Sequence, residues 1–227
     1  MRKRTLPLEI DHVLVFTSCG GPEADALKIA GLVEGTPNAH PGQGTACRRF
    51  FFRNAYLELL WVNNPAEAQS PAVRWTHLLE RWTSRDQGAC PIGIGFRPGT
   101  NGGDQIPFPA REYRPPYLPD TWSLQIATNA SVLSEPLLFF LPFGRRPDSH
   151  NDRGGTLAHP VGVRELTRVE LHACFKGKPS AALEGVFNTG LVRRGPGTEP
   201  FAELGFDQET KGQAADLRPT LPLRLCW

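Results

Sequence analysis

The chain has 227 residues, 40% of them hydrophobic and 21% charged, with a formal net charge of +2. That length can bury a sizeable core, as one large domain or as small modules sharing one, and the composition excludes a disordered or collagen-like chain. No run approaches the roughly 18 apolar residues a membrane-crossing helix needs, and no apolar signal core follows the basic start Met1-Arg2-Lys3-Arg4, so the expected location is the cytoplasm.

Basic residues fall in scattered pairs (Arg48-Arg49, Arg145-Arg146, Arg193-Arg194) that acidic residues nearly balance. A nucleic-acid binder should show a clustered basic stripe, so neither nucleic acid nor membrane is an expected partner. Five cysteines, an odd number without C-x-x-C spacing, argue against a disulfide framework or a zinc ribbon and read as small buried apolar residues.

In chain order, Leu8 to Phe16 reads as an apolar strand. Gly21-Pro22 then starts a helix, with Gly31 as its C-terminal glycine. Thr45 to Phe52 and Ala55 to Val62 form a hairpin across Arg53-Asn54. Pro71 opens a second helix whose Trp75, Leu78, Leu79 and Trp82 fall at i, i+3, i+4 and i+7, the spacing of a packed stripe. Pro91 to Arg97, Trp122 to Thr128 and Leu137 to Phe143 give three more strands. Between the first two lies Thr100 to Asp120, a long Gly- and Pro-rich loop of the kind that covers a pocket. A polar loop, Gly144 to Gly162, carries Asp148, His150, Asp152 and His159, a composition suited to a metal or to a solvated linker. A strand and a Pro179-led helix follow. Residues 193–219 read as loop with one strand at Phe201 to Phe206, and the last strand closes the chain, for about nine strands and three helices.

The first and last 60 residues repeat one pattern of strand, Pro-led helix, Gly-Leu-Val and closing strand. In that overlay His12 falls on Arg168 and Glu58 on Arg224, so a metal site built across the repeat would be half complete.

The pieces Ile10-Asp11-His12-Val13, Gly44-Thr45-Ala46, Tyr56-Leu57-Glu58-Leu59-Leu60, Pro136 to Phe140 and His159-Pro160-Val161-Gly162, in that order, resemble the glyoxalase-like branch of the vicinal oxygen chelate superfamily. The resemblance implies an α+β fold in which fused βαβββ modules form a curved mixed sheet around a cavity, with helices outside. On that reading residues 1–227 form a single glyoxalase-like domain, with a first module at 8–62, middle strands at 90–143 and a third module at 164–227. It also implies one divalent metal (Zn, Mn, Fe or Ni) on His12 and Glu58, a small-molecule ligand, and a possible homodimer. Strand alternation agrees: His12 should share a face with Ile10 and Leu14, and Glu58 with Tyr56 and Leu60. A carboxylate there needs a metal, an arginine or a donor network.

The departures lie in the other modules. Where the second should offer a His, the strand reads Pro91-Ile92-Gly93-Ile94-Gly95, and where it should offer a Glu stands Pro142. Cys47 stands where the family has an amide. His159 is either a third ligand or a structural residue. Glu58 is therefore expected to meet an arginine in a cavity for an organic anion, with Arg49, Tyr56, Arg168 and Arg224 as candidate ligand-binding residues. Two functions follow: a metal-dependent lyase, isomerase or dioxygenase acting on a small oxygenated molecule, or a protein that binds such a molecule without catalysis.

Overall fold

The computed structural model describes residues 8–99, 105–149 and 154–227. Met1 to Arg4, His150 and Asp152, and the first residues of the Thr100 to Asp120 loop, lie outside them. The elements are β1 (Leu8–Phe16), α1 (Ala24–Ile29), β2 (Asn38–His40), β3 (Thr45–Phe51), β4 (Tyr56–Val62), α2 (Pro65–Ala68), α3 (Leu78–Thr83), β5 (Ile92–Pro98), β6 (Ala110–Tyr113), β7 (Leu124–Ala127), β8 (Leu137–Phe140), β9 (Leu166–His172), α4 (Ala181–Thr189), β10 (Val192–Gly195), β11 (Phe201–Phe206), β12 (Ala214–Asp216) and β13 (Leu223–Cys226).

Strands β1 to β8 form one curved mixed sheet in the order β2-β3-β4-β1-β5-β8-β7-β6. Two units meet at its centre, where β1 runs parallel to β4 and antiparallel to β5, and β5 runs parallel to β8. One face carries Leu14, Phe16, Cys47, Leu60, Leu137 and Phe139 and lines the cavity. The other carries Val13, Val15, Leu57, Leu59, Ile92 and Ile94, which pack with Val169, Leu171, Leu204 and Phe206 of a second sheet. Period-two alternation thus feeds two cores from the same strands.

The second sheet, β10-β9-β11-β13-β12, corrects the terminal repeat. In the first unit the parallel partner of β1 is β4, three strands on; β9 instead pairs in parallel with β10, directly after α4. The local pattern recurs, but its pairing does not. The unit that completes the first sheet is the middle segment, β5 to β8.

The expected second helix is broken. A 3-10 turn at Arg74–Thr76 ends at His77, whose φ of 57° is left-handed, and α3 starts afresh at Leu78. Left-handed backbone on a non-glycine residue cannot continue an α-helix. Trp82 of the predicted stripe donates its indole N–H to Thr17 O at 2.8 Å, and Leu78 faces the cavity. Short β2, β6 and β12, of three or four residues each, escaped the sequence reading, as did α2. Four of the five cysteines are buried and Cys19 is exposed.

Candidate functional site

Strand β1 does not alternate evenly. Ile10 pairs with Phe96 and His12 with Gly95, so Asp11 is an extra residue, a β-bulge. The bulge corrects the expected face: Ile10 packs with the core behind the sheet, whereas His12 and Leu14 line the cavity. It also places Asp11 beside its neighbour's ring, with Oδ1 2.7 Å from His12 Nδ1. Buried Arg97 lies 3.6 Å from Asp11 Oδ2 and donates to Ile10 O, Asn54 O and Glu9 Oε2.

With Nδ1 held by Asp11, His12 aims Nε2 at Glu58 Oε2, 3.2 Å away. Tyr56 stacks on the imidazole at 4.3 Å and Phe139 meets it edge-on at 5.1 Å. Burial alone would lower the His12 pKa, but hydrogen bonds to Asp11 and Glu58 and their charges outweigh it and raise it to about 9. Burial likewise pushes Glu58 up, yet His12, with smaller contributions from His40 and the Cys47 thiol, brings it down to about 2. The partner of Glu58 is therefore an imidazolium within its own unit, which corrects the expected arginine.

The remaining polar groups come from β2, β3 and the turn between them. His40 Nδ1 is 2.8 Å from Thr45 Oγ1 and its Nε2 3.2 Å from Asn38 Nδ2, and Tyr117 lies over its ring at 4.6 Å. Burial is the main cause that keeps the His40 pKa low, so it is neutral near pH 7. Gln43 donates to Thr45 Oγ1 and accepts from the Tyr113 hydroxyl. The Cys47 thiol donates to Glu58, and burial, reinforced by that carboxylate, pushes it far up and keeps it protonated.

These groups occupy one end of a cavity of about 240 Å³. Its walls are Leu14, Leu60, Leu78, Leu118, Leu124, Ile126, Leu137, Phe139, Leu141 and Phe143. Tyr113, Tyr117 and Leu118 come from the end of β6 and the connection to β7, so the later part of the loop expected to cover a pocket does line one. A single polar end in an apolar cleft is the arrangement of a small-molecule site.

The residues singled out from sequence divide three ways. His12, Tyr56 and Glu58 line the cavity. Arg49 sits opposite Glu58 in the β3–β4 register, but its guanidinium donates to Thr36 O and lies over the Phe51 ring. Arg168 and Arg224 belong to the second sheet, where Arg168 bonds Glu203, Glu209 and Glu170, and Arg224 bonds Glu203. His159 accepts from Val33 N–H at Nδ1 and holds Phe51 O at 2.9 Å with Nε2, so it stitches its loop to the first sheet. Asp11, His40, Gln43 and Tyr117 escaped sequence reasoning as site residues, and Cys47 was read only as the loss of an amide at a ligand-facing position. The one available signal was a histidine five residues before Thr45; a three-residue edge strand has too little periodicity to show its face.

The donor set suits a divalent metal. His40, Cys47 and Glu58 each bring a ligand atom within 4.8 Å of the others, and His12 Nε2 faces the same carboxylate. Both imidazoles are held at Nδ1 by an oxygen, Asp11 for His12 and Thr45 for His40, the outer-shell support that orients metal-binding histidines. Two imidazoles, a carboxylate and a thiol suit zinc or iron better than calcium or magnesium.

Residues 10–186 match the family of glyoxalase-like domains. Among solved structures, the crystal structure of a hypothetical protein from Staphylococcus aureus is 11% identical, with 96% of this chain and 98% of that chain covered and a TM-score of 0.50, a likeness of fold. No curated protein sequence matches the chain.

Proposed function

The chain belongs to the glyoxalase-like domain family of the vicinal oxygen chelate superfamily, and from that premise we propose that its cavity takes a small organic molecule with an oxygenated head and an apolar body. His12, His40 and Glu58 would hold a divalent metal at the polar end, with Cys47 behind them. The observation that carries this reading is the convergence of two oriented imidazoles on one carboxylate in the lining of the cavity. A bound metal would supply Lewis acidity to an oxygen of the ligand, the chemistry shared by metal-dependent lyases, isomerases and dioxygenases.

The chain's own groups set the rest. In metal-free protein Glu58 is ionised and His12 carries the proton it faces, and a bound metal would take the place of that proton at Nε2. Tyr56 and Phe139 fix the His12 ring. The leucine and phenylalanine walls exclude water from the head group and favour an apolar body. Four buried thiols fit a reducing cytoplasm.

A second reading, sequestration without a metal, has its own support: Glu58 already has a protonated partner, and the β5–β8 half of the cavity lining brings two tyrosines and apolar side chains but no His, Cys, Asp or Glu. Elemental analysis of protein purified without chelators, with calorimetric titration of Zn²⁺ and Mn²⁺, separates the two. Near-stoichiometric metal in the wild type, lost in both His12→Ala and His40→Ala, is expected. Metal-free wild type that takes up neither ion would reject the metal centre and leave sequestration.

A further inference from the structure

The chain has three tyrosines, and all three line the cavity that holds the candidate site. They reach it from separate places: Tyr56 opens β4, Tyr113 ends β6, and Tyr117 lies in the connection to β7. Tyr113 is already satisfied, since its hydroxyl donates to Gln43 Oε1 at 3.0 Å. The hydroxyls of Tyr56 and Tyr117 have no hydrogen-bond partner among the described residues. Neither oxygen is fully enclosed, so each meets open space, and the space their rings line is the cavity. A tyrosine turned inward ordinarily finds a partner for its O–H. Each of these two rings also lies against one imidazole of the site, Tyr56 on His12 at 4.3 Å between centroids and Tyr117 on His40 at 4.6 Å.

The charge of the lining narrows what can partner them. Among the described residues it holds no Lys or Arg, and its charged groups are His12 and Glu58, which already face each other at 3.2 Å. Arg49, opposite Glu58 in the β3–β4 register, is turned to Thr36 O and the Phe51 ring. A carboxylate or phosphate would therefore meet no cationic side chain of the kind that binds such groups, and would face Glu58. A phenol, with an ordinary pKa of about 10, is protonated at neutral pH and donates. Burial pushes both tyrosines further up. We propose that Tyr56 and Tyr117 are ligand-binding residues whose hydroxyls donate to an uncharged carbonyl oxygen, so that the preferred ligand is a ketone, ester or amide on an apolar body rather than an organic acid. The inference rests on the cavity's being the ligand site proposed above, and it holds with or without the metal. It replaces the organic anion expected from the sequence.

The test uses the whole chain, metal-free and loaded with Zn²⁺, with acetophenone and benzoate as probes that share a ring and differ in charge. Affinities are read by ligand-observed NMR titration and Zn²⁺ uptake by calorimetry. Metal-free wild type is expected to bind acetophenone at least about tenfold more tightly than benzoate, whose charge finds no partner. Tyr56→Phe and Tyr117→Phe keep the rings on the imidazoles and remove one oxygen each. Each should weaken acetophenone by about threefold to tenfold, the worth of one neutral hydrogen bond, and leave Zn²⁺ uptake unchanged. Unchanged acetophenone affinity in either variant, a preference of metal-free wild type for benzoate, or no binding of acetophenone would overturn the proposal. The two readings fail separately. Wild type that takes up no Zn²⁺, while both variants lose acetophenone affinity, rejects the metal centre and keeps the tyrosine contacts; normal Zn²⁺ uptake with unchanged acetophenone affinity does the reverse. Tyr117→Phe decides if Tyr56→Phe folds poorly.

Discussion

The chemistry of the cavity depends on single side chains that compensate one another. Glu58 is 6% exposed and His12 3%, so each carries a charge that burial would forbid alone. Glu58→Gln removes the carboxylate and strands the imidazole; we expect a loss of about 3 kcal/mol in urea unfolding, the range for breaking a buried pair. The same pair sets a pH dependence in metal-free protein. The His12 pKa is raised to about 9, so its contribution is complete below the unfolded value near 6.5 and is lost as the pH rises through 9. The Glu58 pKa is lowered to about 2, so its contribution is present above about 4.5 and is lost on acidification through 2. Melting curves in chelator should therefore decline from about pH 6.5 to 9. An unchanged alkaline slope in His12→Asn would refute this account.

At the scale of the element, β5 explains why the second unit offers no ligand. A Cβ built on Gly95 would lie 2.8 Å from the Phe139 ring and 2.9 Å from His12 Cε1, so the ring of His12 occupies the space a β5 side chain would need. Gly95→Ala should displace His12 and weaken metal uptake at least tenfold by calorimetry; unaltered uptake would mean that His12 is not held by this contact. A different element is held by one cation. Arg81, on α3, is fully buried and donates to the carbonyls of Ala130, Asn129, Val132 and Glu135, so it collects the backbone between β7 and β8. Burial is the main cause that lowers its pKa, to about 10, which leaves it charged at neutral pH. Arg81→Met orphans those carbonyls and should cost about 3–5 kcal/mol in chemical denaturation.

Across the whole molecule, the two sheets share one core but divide the work. The cavity lies on the face of the first sheet opposite the second, and the polar network of Arg168, Glu170, Glu203, Glu209 and Arg224 belongs to the second sheet. Arg168→Ala should therefore lower stability by about 1–2 kcal/mol through the carboxylates it leaves unpaired, while metal and ligand affinities measured by calorimetry stay at wild-type values. Loss of binding in this variant would return Arg168 to the candidate site.

What the sequence determined by itself is whatever repeats along the chain at short range. The apolar alternation of β1, β3, β4, β5 and β8, the proline and glycine that bracket α1, and the placement of His12 and Glu58 on strands are local facts, because side-chain direction follows backbone period. Three-residue β2 carries no period, so His40 was invisible. The bulge at Asp11 depends on how β1 registers against β5, and it alone decides that Ile10 turns away while Asp11 reaches the His12 ring. The terminal repeat was a true local likeness with a false partner: strand, helix and strand recur at both ends, yet pairing is set by burial against the rest of the chain. Only the tertiary structure could give Glu58 a histidine rather than an arginine, since that choice depends on a contact between segments far apart in sequence.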